Sequence, residues 1–147
     1  MPVDVRWLIE DAVILEYFSG EVNMDEAVSL IHKVGQMIEQ SNRILVHTLI
    51  DMTTMSKIPT NLQELVKETN DVLKNPRSGW ILIYGQENKL LNFFTSVITG
   101  VFKTRYRMFP TLEEALEFLQ QQDAALPHIT TNDVVDVIAQ INLSNQQ

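Results

Sequence analysis

The first part of the chain shows the spacing of apolar residues that is typical of β-strands. Apolar residues occupy every second position over Val3–Ile9, the pattern of a strand with one buried face. After a two-residue polar break, the mostly apolar run Ala12–Phe18 predicts a second strand. Because the break is too short to hold a crossover helix, we expect the two strands to form an antiparallel hairpin.

Through the rest of the chain, apolar residues at helical spacing alternate with short apolar runs. The predicted helices begin at Asn23, Asn61, Glu87 and Thr111, and three of these starts are capping boxes. The predicted strands span Ile44–Ile50, Trp80–Tyr84 and Thr104–Phe109. Strands that alternate with helices predict an α/β fold, here a mixed, mostly parallel five-stranded sheet in the order ββαβαβαβα.

The C-terminal part of the chain differs from the alternating part. It contains Pro127 and one further predicted helix, Asp133–Ile141. The sequence therefore predicts a single α/β domain at residues 1–122 and a C-terminal extension with one short helix at residues 123–147.

Composition excludes several classes of protein. The 147 residues suit one domain, and the formal net charge of −8 is opposite in sign to the basic surface of most nucleic-acid-binding proteins. The chain contains no cysteine, which excludes disulfides, thiol nucleophiles and thiolate metal sites. The sequence shows no secretory signal, and no apolar run approaches the ~20 residues that span a bilayer. We expect a cytoplasmic protein without a membrane span.

The sequence contains no motif for a cofactor or for catalysis. The five glycines form neither G-x-G-x-x-G nor G-x-x-x-x-G-K, and no serine lies in a G-x-S-x-G turn. The three histidines lack the spacing of metal ligands, which favours packed or surface histidines. We therefore predict no cofactor, no metal site and no enzymatic activity.

One aspartate suggests an enzymatic alternative. Asp51 follows the third predicted strand, where response-regulator receivers carry their phosphorylated aspartate. A receiver also needs an acidic pair after its first strand and a lysine after its last strand. Glu10 and Asp11 would lie in a hairpin turn, and Lys103 precedes the fifth predicted strand. Phosphorylation of Asp51 by a small-molecule phosphodonor would support this alternative.

The fifth predicted strand carries the basic cluster of the sequence. Lys103, Arg105 and Arg107 occupy alternate positions and therefore share one face. They could contact an anion or a phosphoinositide headgroup. Alternatively, their charge could protect an edge strand from pairing with another sheet.

The third predicted helix has a wider apolar face than a helix on one sheet needs. Its apolar residues include Phe93, Phe94, Ile98 and Phe102. The face could be buried within the monomer, form a dimer contact, or bind an apolar small molecule or lipid.

The segment Asp51–Pro59 is polar and leads into the second predicted helix, so we expect a loop there. Its candidate functional residues are Asp51, Thr53, Thr54, Ser56 and Lys57. Hydroxyl groups near a helix N-terminus could cap it, and a phosphate there would be stabilised by the helix dipole.

Three segments resemble the STAS domains of bacterial anti-sigma-factor antagonists and the STAS-like branch related to the CRAL-TRIO lipid-binding fold. The resemblance covers about Val3–Gln121. The matching segments are Ala12–Gly20 with the helix start that follows it, the strand that ends in Asp51-Met52-Thr53, and the last strand and helix at Tyr106–Leu119. The resemblance implies a non-enzymatic regulatory module that binds a protein partner or a second copy of itself through the Asp51–Pro59 segment and the helix after it. The alternative that it leaves open is a small lipid-binding protein.

The sequence departs from this family at its regulatory site. STAS antagonists carry a D-S-S-G turn whose first serine is phosphorylated by a partner kinase. The matching stretch here is Ser56–Pro59, with Lys57 at the phosphorylated position and Pro59 at the glycine. The phosphoserine switch therefore cannot be transferred to this chain.

Overall fold

A computed structural model describes residues 3–57, 62–85 and 105–146. Within these residues, the strands are β1 (Val3–Ile9), β2 (Val13–Glu21), β3 (Val46–Lys57), β4 (Ser78–Tyr84) and β5 (Tyr106–Phe109). The helices are α1 (Met24–Gln40), α2 (Leu62–Leu73), α3 (Leu112–Gln122) and α4 (Thr131–Asn145). The predicted α/β class is confirmed.

The five strands form one sheet in the order β1-β2-β3-β4-β5. β1 and β2 are antiparallel, as the short polar break between them predicts, and the other neighbouring strands are parallel. The mixed, mostly parallel sheet expected from the sequence is therefore confirmed. The parallel strands place the carboxyl ends of β2, β3 and β4 at one edge of the sheet.

Helices pack on both faces of the sheet. On the first face, Val5 and Ile14 pack with the buried side of α1, which includes Leu30 and Val34. On the second face, a separate core is formed with α3 and α4 by Val13, Leu15, Leu49, Leu82, Leu116, Leu119 and Val134. Alternation along the strands assigns each residue to one of the two faces. The C-terminal segment takes part in the second core, because Leu126, Ile129 and Val134 are buried there. The division of the chain at residue 122 remains a prediction.

The largest difference from the sequence-based expectation is the length of β3. The predicted strand ended at Ile50, but β3 continues to Lys57, and β2 beside it continues to Glu21. The prediction of a loop from Asp51 is therefore wrong as far as Lys57, and Ile58 and Pro59 lie outside the described residues. Buried Met52 and Met55 hold this part of the strand against the core, although its exposed residues are polar.

Several predicted features lie outside the described residues. They are the third predicted helix, with its candidate residues Phe93, Phe94, Ile98 and Phe102, and the basic residue Lys103. The predicted C-terminal helix is confirmed as α4 and is longer than expected at both ends.

Candidate functional site

The C-terminal end of β3 extends past its pairing with β4. Asp51 pairs with Tyr84, the last residue of β4, and β3 then continues as far as Lys57. On its other side β2 stays paired, with Ser19 opposite Thr54. We call residues Thr53–Lys57 the β3 extension.

A β-bulge orients the side chains of the β3 extension. Between the pairs Tyr17–Asp51 and Ser19–Thr54, β3 holds one more residue than β2. As a result, Met52 and Met55 are both buried in the core with α1, although they are three residues apart. Four of the five residues proposed from sequence lie on the exposed side of this strand end: Thr53, Thr54, Ser56 and Lys57.

The fifth proposed residue, Asp51, is buried beneath the extension. Its Oδ2 accepts a hydrogen bond of 2.7 Å from the Tyr84 hydroxyl, and its Oδ1 accepts one of 2.9 Å from the Thr53 backbone N–H. Burial, the charge of Asp51 and the hydrogen bond to it, together with Tyr17, raise the pKa of Tyr84 far above its ordinary value. Tyr84 therefore stays a hydrogen-bond donor at any physiological pH. The Asp51 carboxylate holds the start of the extension against β4.

This geometry does not fit a receiver-type phosphorylation site. Asp51 is 5% exposed, and Tyr84 and Thr53 occupy its two oxygens. Glu10 and Asp11 lie in the β1–β2 turn, beside the start of β3, whereas Asp51 lies further along that strand. Among the described residues, no group of three potential metal ligands is present. The role that the structure assigns to Asp51 is to position the β3 extension.

A shallow groove lies between α1 and α2. Its volume is about 500 Å³, and its lining includes Asp25, Ser29, His32, Lys33 and Glu64. The Lys57 carbonyl accepts a hydrogen bond of 3.0 Å from Val22, just before α1 begins, so the extension and the first turn of α1 are adjacent.

Two members of the basic cluster predicted on the fifth strand, Arg105 and Arg107, lie within the described residues. Arg105 is exposed just before β5, and Arg107 lies on β5 with its guanidinium carbon 5.2 Å from the centre of the Phe118 ring. Phe118 also contacts Trp80 and Phe109. Arg107 therefore covers an aromatic cluster between β5 and α3, a structural role. An anion contact by Arg105 and Arg107 stays a prediction.

The sequence reasoning missed a buried carboxyl group on β2. Glu16 is 5% exposed and lies between Val5 of β1 and Ile50 of β3, on the face covered by α1. Burial raises the pKa of Glu16 to about 8. A glutamate within the otherwise apolar run Ala12–Phe18 was the sequence signal that could have identified it.

Comparison with known proteins identifies the fold. No protein-family model and no curated protein matches the sequence. Among solved structures, an uncharacterised DUF3478-family protein with a SpoIIAA-like fold from Shewanella loihica PV-4 aligns with a TM-score of 0.56 and 15% identity, over 80% of this chain and 91% of that chain. The chain has a SpoIIAA-like, STAS-like fold. The unphosphorylated anti-sigma factor antagonist SpoIIAA aligns with a TM-score of 0.55 and 13% identity, over 81% of this chain and 96% of that chain.

The resemblance to STAS domains predicted from sequence is therefore confirmed at the level of the fold. Across the described parts of this STAS-like chain, no helix is long and apolar enough to cross a bilayer.

Removing the Tyr84 hydroxyl should destabilise the β3 extension while all its exposed residues stay in place. Tyr84→Phe leaves one oxygen of a buried carboxylate without its donor, which typically costs about 2 kcal/mol. Tyr17→Phe is the matched control, because the Tyr17 hydroxyl makes a longer contact of 3.3 Å with Thr54 Oγ1. Urea unfolding should show the larger loss for Tyr84→Phe, and equal losses would contradict the assigned role of Asp51.

Proposed function

We propose that this chain is a non-enzymatic STAS-type regulatory module of the cytoplasm, which binds a protein partner through the β3 extension and the helix that follows it, α2. The observation that carries the proposal is the β3 extension itself. It presents Thr53, Thr54, Ser56 and Lys57 on a strand whose residues Asp51, Met52 and Met55 are buried. A polar strand end that is held in place by buried neighbours suits recognition, because little conformational entropy is lost when a partner binds it.

The comparisons support a protein as the partner. SpoIIAA is described as an anti-sigma factor antagonist, which is a role exerted on another protein. The two folds align over most of both chains. Since Lys57 and Pro59 replace two residues of the phosphorylated turn, we propose that binding here does not depend on a phosphoserine at that position.

A second copy of the chain is one form that the partner could take. The alternative of an apolar small molecule or lipid depends on Phe93, Phe94, Ile98 and Phe102, which lie outside the described residues. No observation on the described residues favours that alternative, so the protein partner is the function that we propose.

Site-specific photo-crosslinking in cells tests the proposal. A benzophenone side chain at Ser56, on the β3 extension, should give a discrete adduct with one protein. The same side chain at Gln121, which is exposed near the end of α3, should not give that adduct. Its neighbour Asp123 contacts His47 at the start of β3, so Gln121 lies at the other end of that strand from Ser56. An adduct of twice the chain's own mass would identify a second copy as the partner.

The purified partner then permits a quantitative test. Ser56→Arg places a long charged side chain in the surface and should weaken binding at least tenfold, about 1.4 kcal/mol. Gln121→Arg adds the same group elsewhere and should leave the Kd unchanged. Identical adducts from both positions, or unchanged binding by Ser56→Arg, would rule out this surface.

A further inference from the structure

A buried histidine joins two strands to the connection between α3 and α4. His47 is 1% exposed and lies near the start of β3, on the face covered by α3 and α4. Its Nδ1 accepts a hydrogen bond of 3.0 Å from the Trp80 backbone N–H of β4. Its Nε2 lies 2.9 Å from Oδ2 of Asp123, which caps the C-terminus of α3.

The two contacts fix the imidazole in one neutral form. A backbone N–H can only donate, so Nδ1 must carry a lone pair. The carboxylate of Asp123 accepts, so Nε2 carries the proton. The backbone of β4 also packs tightly against the ring, since a Cβ at Gly79 would lie 2.5 Å from Nδ1. A second proton on Nδ1 would face the Trp80 N–H without an acceptor.

Some of the groups around His47 favour a second proton on its ring, and others oppose it. Burial lowers the pKa of His47, and the charges of Arg43 and Arg105 lower it further. The hydrogen bond and charge of Asp123 raise it, but the net result is a pKa below the ordinary value of 6.5. In the described part of the chain, these are the charged groups that face the ring. The Asp123 carboxylate is not free to follow the ring if the ring moves, because its Oδ2 also lies 3.2 Å from Nη2 of Arg43.

We propose that His47 is an acid-sensitive clasp, whose protonation at Nδ1 separates it from Trp80 and opens the connection between α3 and α4. The imidazolium must rotate to remove its Nδ1 proton from the Trp80 N–H. The same rotation carries Nε2 away from Asp123, because both nitrogens belong to one rigid ring. Leu126, whose N–H donates to the Asp123 carbonyl at 3.2 Å, lies in the part of the chain that is released.

Nuclear magnetic resonance of the intact protein tests the proposal in two ways. The ring ¹⁵N shifts of His47 should show an unprotonated Nδ1 and a protonated Nε2 at pH 8, with titration below 6.5. Amide exchange should show that the protection of Trp80 and Leu126 falls up to about tenfold per pH unit below 6.5, the limit for one linked proton. The amide of Leu82, in the centre of β4, should keep its protection and serves as the reference.

Histidine variants separate the clasp from a general effect of acid. His47→Gln removes the titrating ring and should abolish the pH dependence at Leu126, whereas His128→Gln, at an exposed position in the same connection, should preserve it. If His47→Gln does not fold, the ring shifts and exchange rates of the unaltered protein decide alone. Loss of protection at Leu82 in parallel with Trp80, or constant protection at Trp80 and Leu126, would overturn the proposal.

Discussion

Replacing Glu16 with glutamine should stabilise the protein by about 3 kcal/mol at pH 7. The folded chain holds a proton on Glu16 up to about pH 8, whereas the unfolded chain releases it near 4.5. Between these values the folded state binds more protons, so stability falls as pH rises, by about 1.4 kcal/mol per unit. Glutamine is nearly isosteric with the protonated acid and avoids this cost.

The pH dependence distinguishes this mechanism from a general packing effect. The advantage of Glu16→Gln should disappear near pH 4.5, where both folded and unfolded chains hold the proton, and should stop growing above pH 8. Glu10→Gln, at an exposed position in the β1–β2 turn, is the matched control and should change little at any pH. Urea unfolding from pH 4.5 to 8.5 measures the difference, and a constant gain for Glu16→Gln would contradict the assigned pKa.

Gly85→Ala should be the most damaging small substitution at the candidate site, with a cost of about 4 kcal/mol. Gly85 has φ +106°, a conformation that costs an L-residue about 1–3 kcal/mol. A Cβ there would lie 2.5 Å from Thr53 Oγ1 and 2.8 Å from its backbone nitrogen, so the β3 extension would have to move. Such overpacking adds about 1–3 kcal/mol.

Gly20 provides the control for backbone strain. It also has a positive φ, +61°, but an added Cβ would meet nothing within 4 Å. Gly20→Ala should therefore cost about 1–2 kcal/mol, the strain alone. In the photo-crosslinking assay, Gly85→Ala should lose the Ser56 adduct while Gly20→Ala keeps it. Equal losses of stability for the two variants would show that Gly85 does not support the extension.

The fold could be predicted because its determinants are local. Each element can be recognised from its own stretch of sequence. The signals are the alternation in Val3–Ile9, the helical spacing after Asn23 and the apolar runs of the buried parallel strands. The end of β3 could not be predicted in the same way. Its residues are polar because they are exposed, and the β-bulge breaks the two-residue period between Met52 and Met55.

The contacts of the site depend on residues that are distant in sequence. Asp51 was predicted as a candidate residue, but its partner Tyr84 follows it by 33 positions and lies on another strand. His47 was expected to be a packed or surface histidine, and it is packed. Its partner Asp123 is 76 positions away. Local pattern carries no information on such pairings, which arise when the sheet and its two helix layers assemble.

Glu16 and His47 lie on opposite faces of the sheet, so we expect their effects on stability to be additive. Below pH 6.5 the folded chain is favoured by proton uptake at Glu16 and disfavoured by the missing uptake at His47. The two contributions have opposite signs, so they oppose each other where they overlap. We therefore expect mild acid to raise the global unfolding free energy by less than Glu16 alone would, while it loosens the molecule locally at one end.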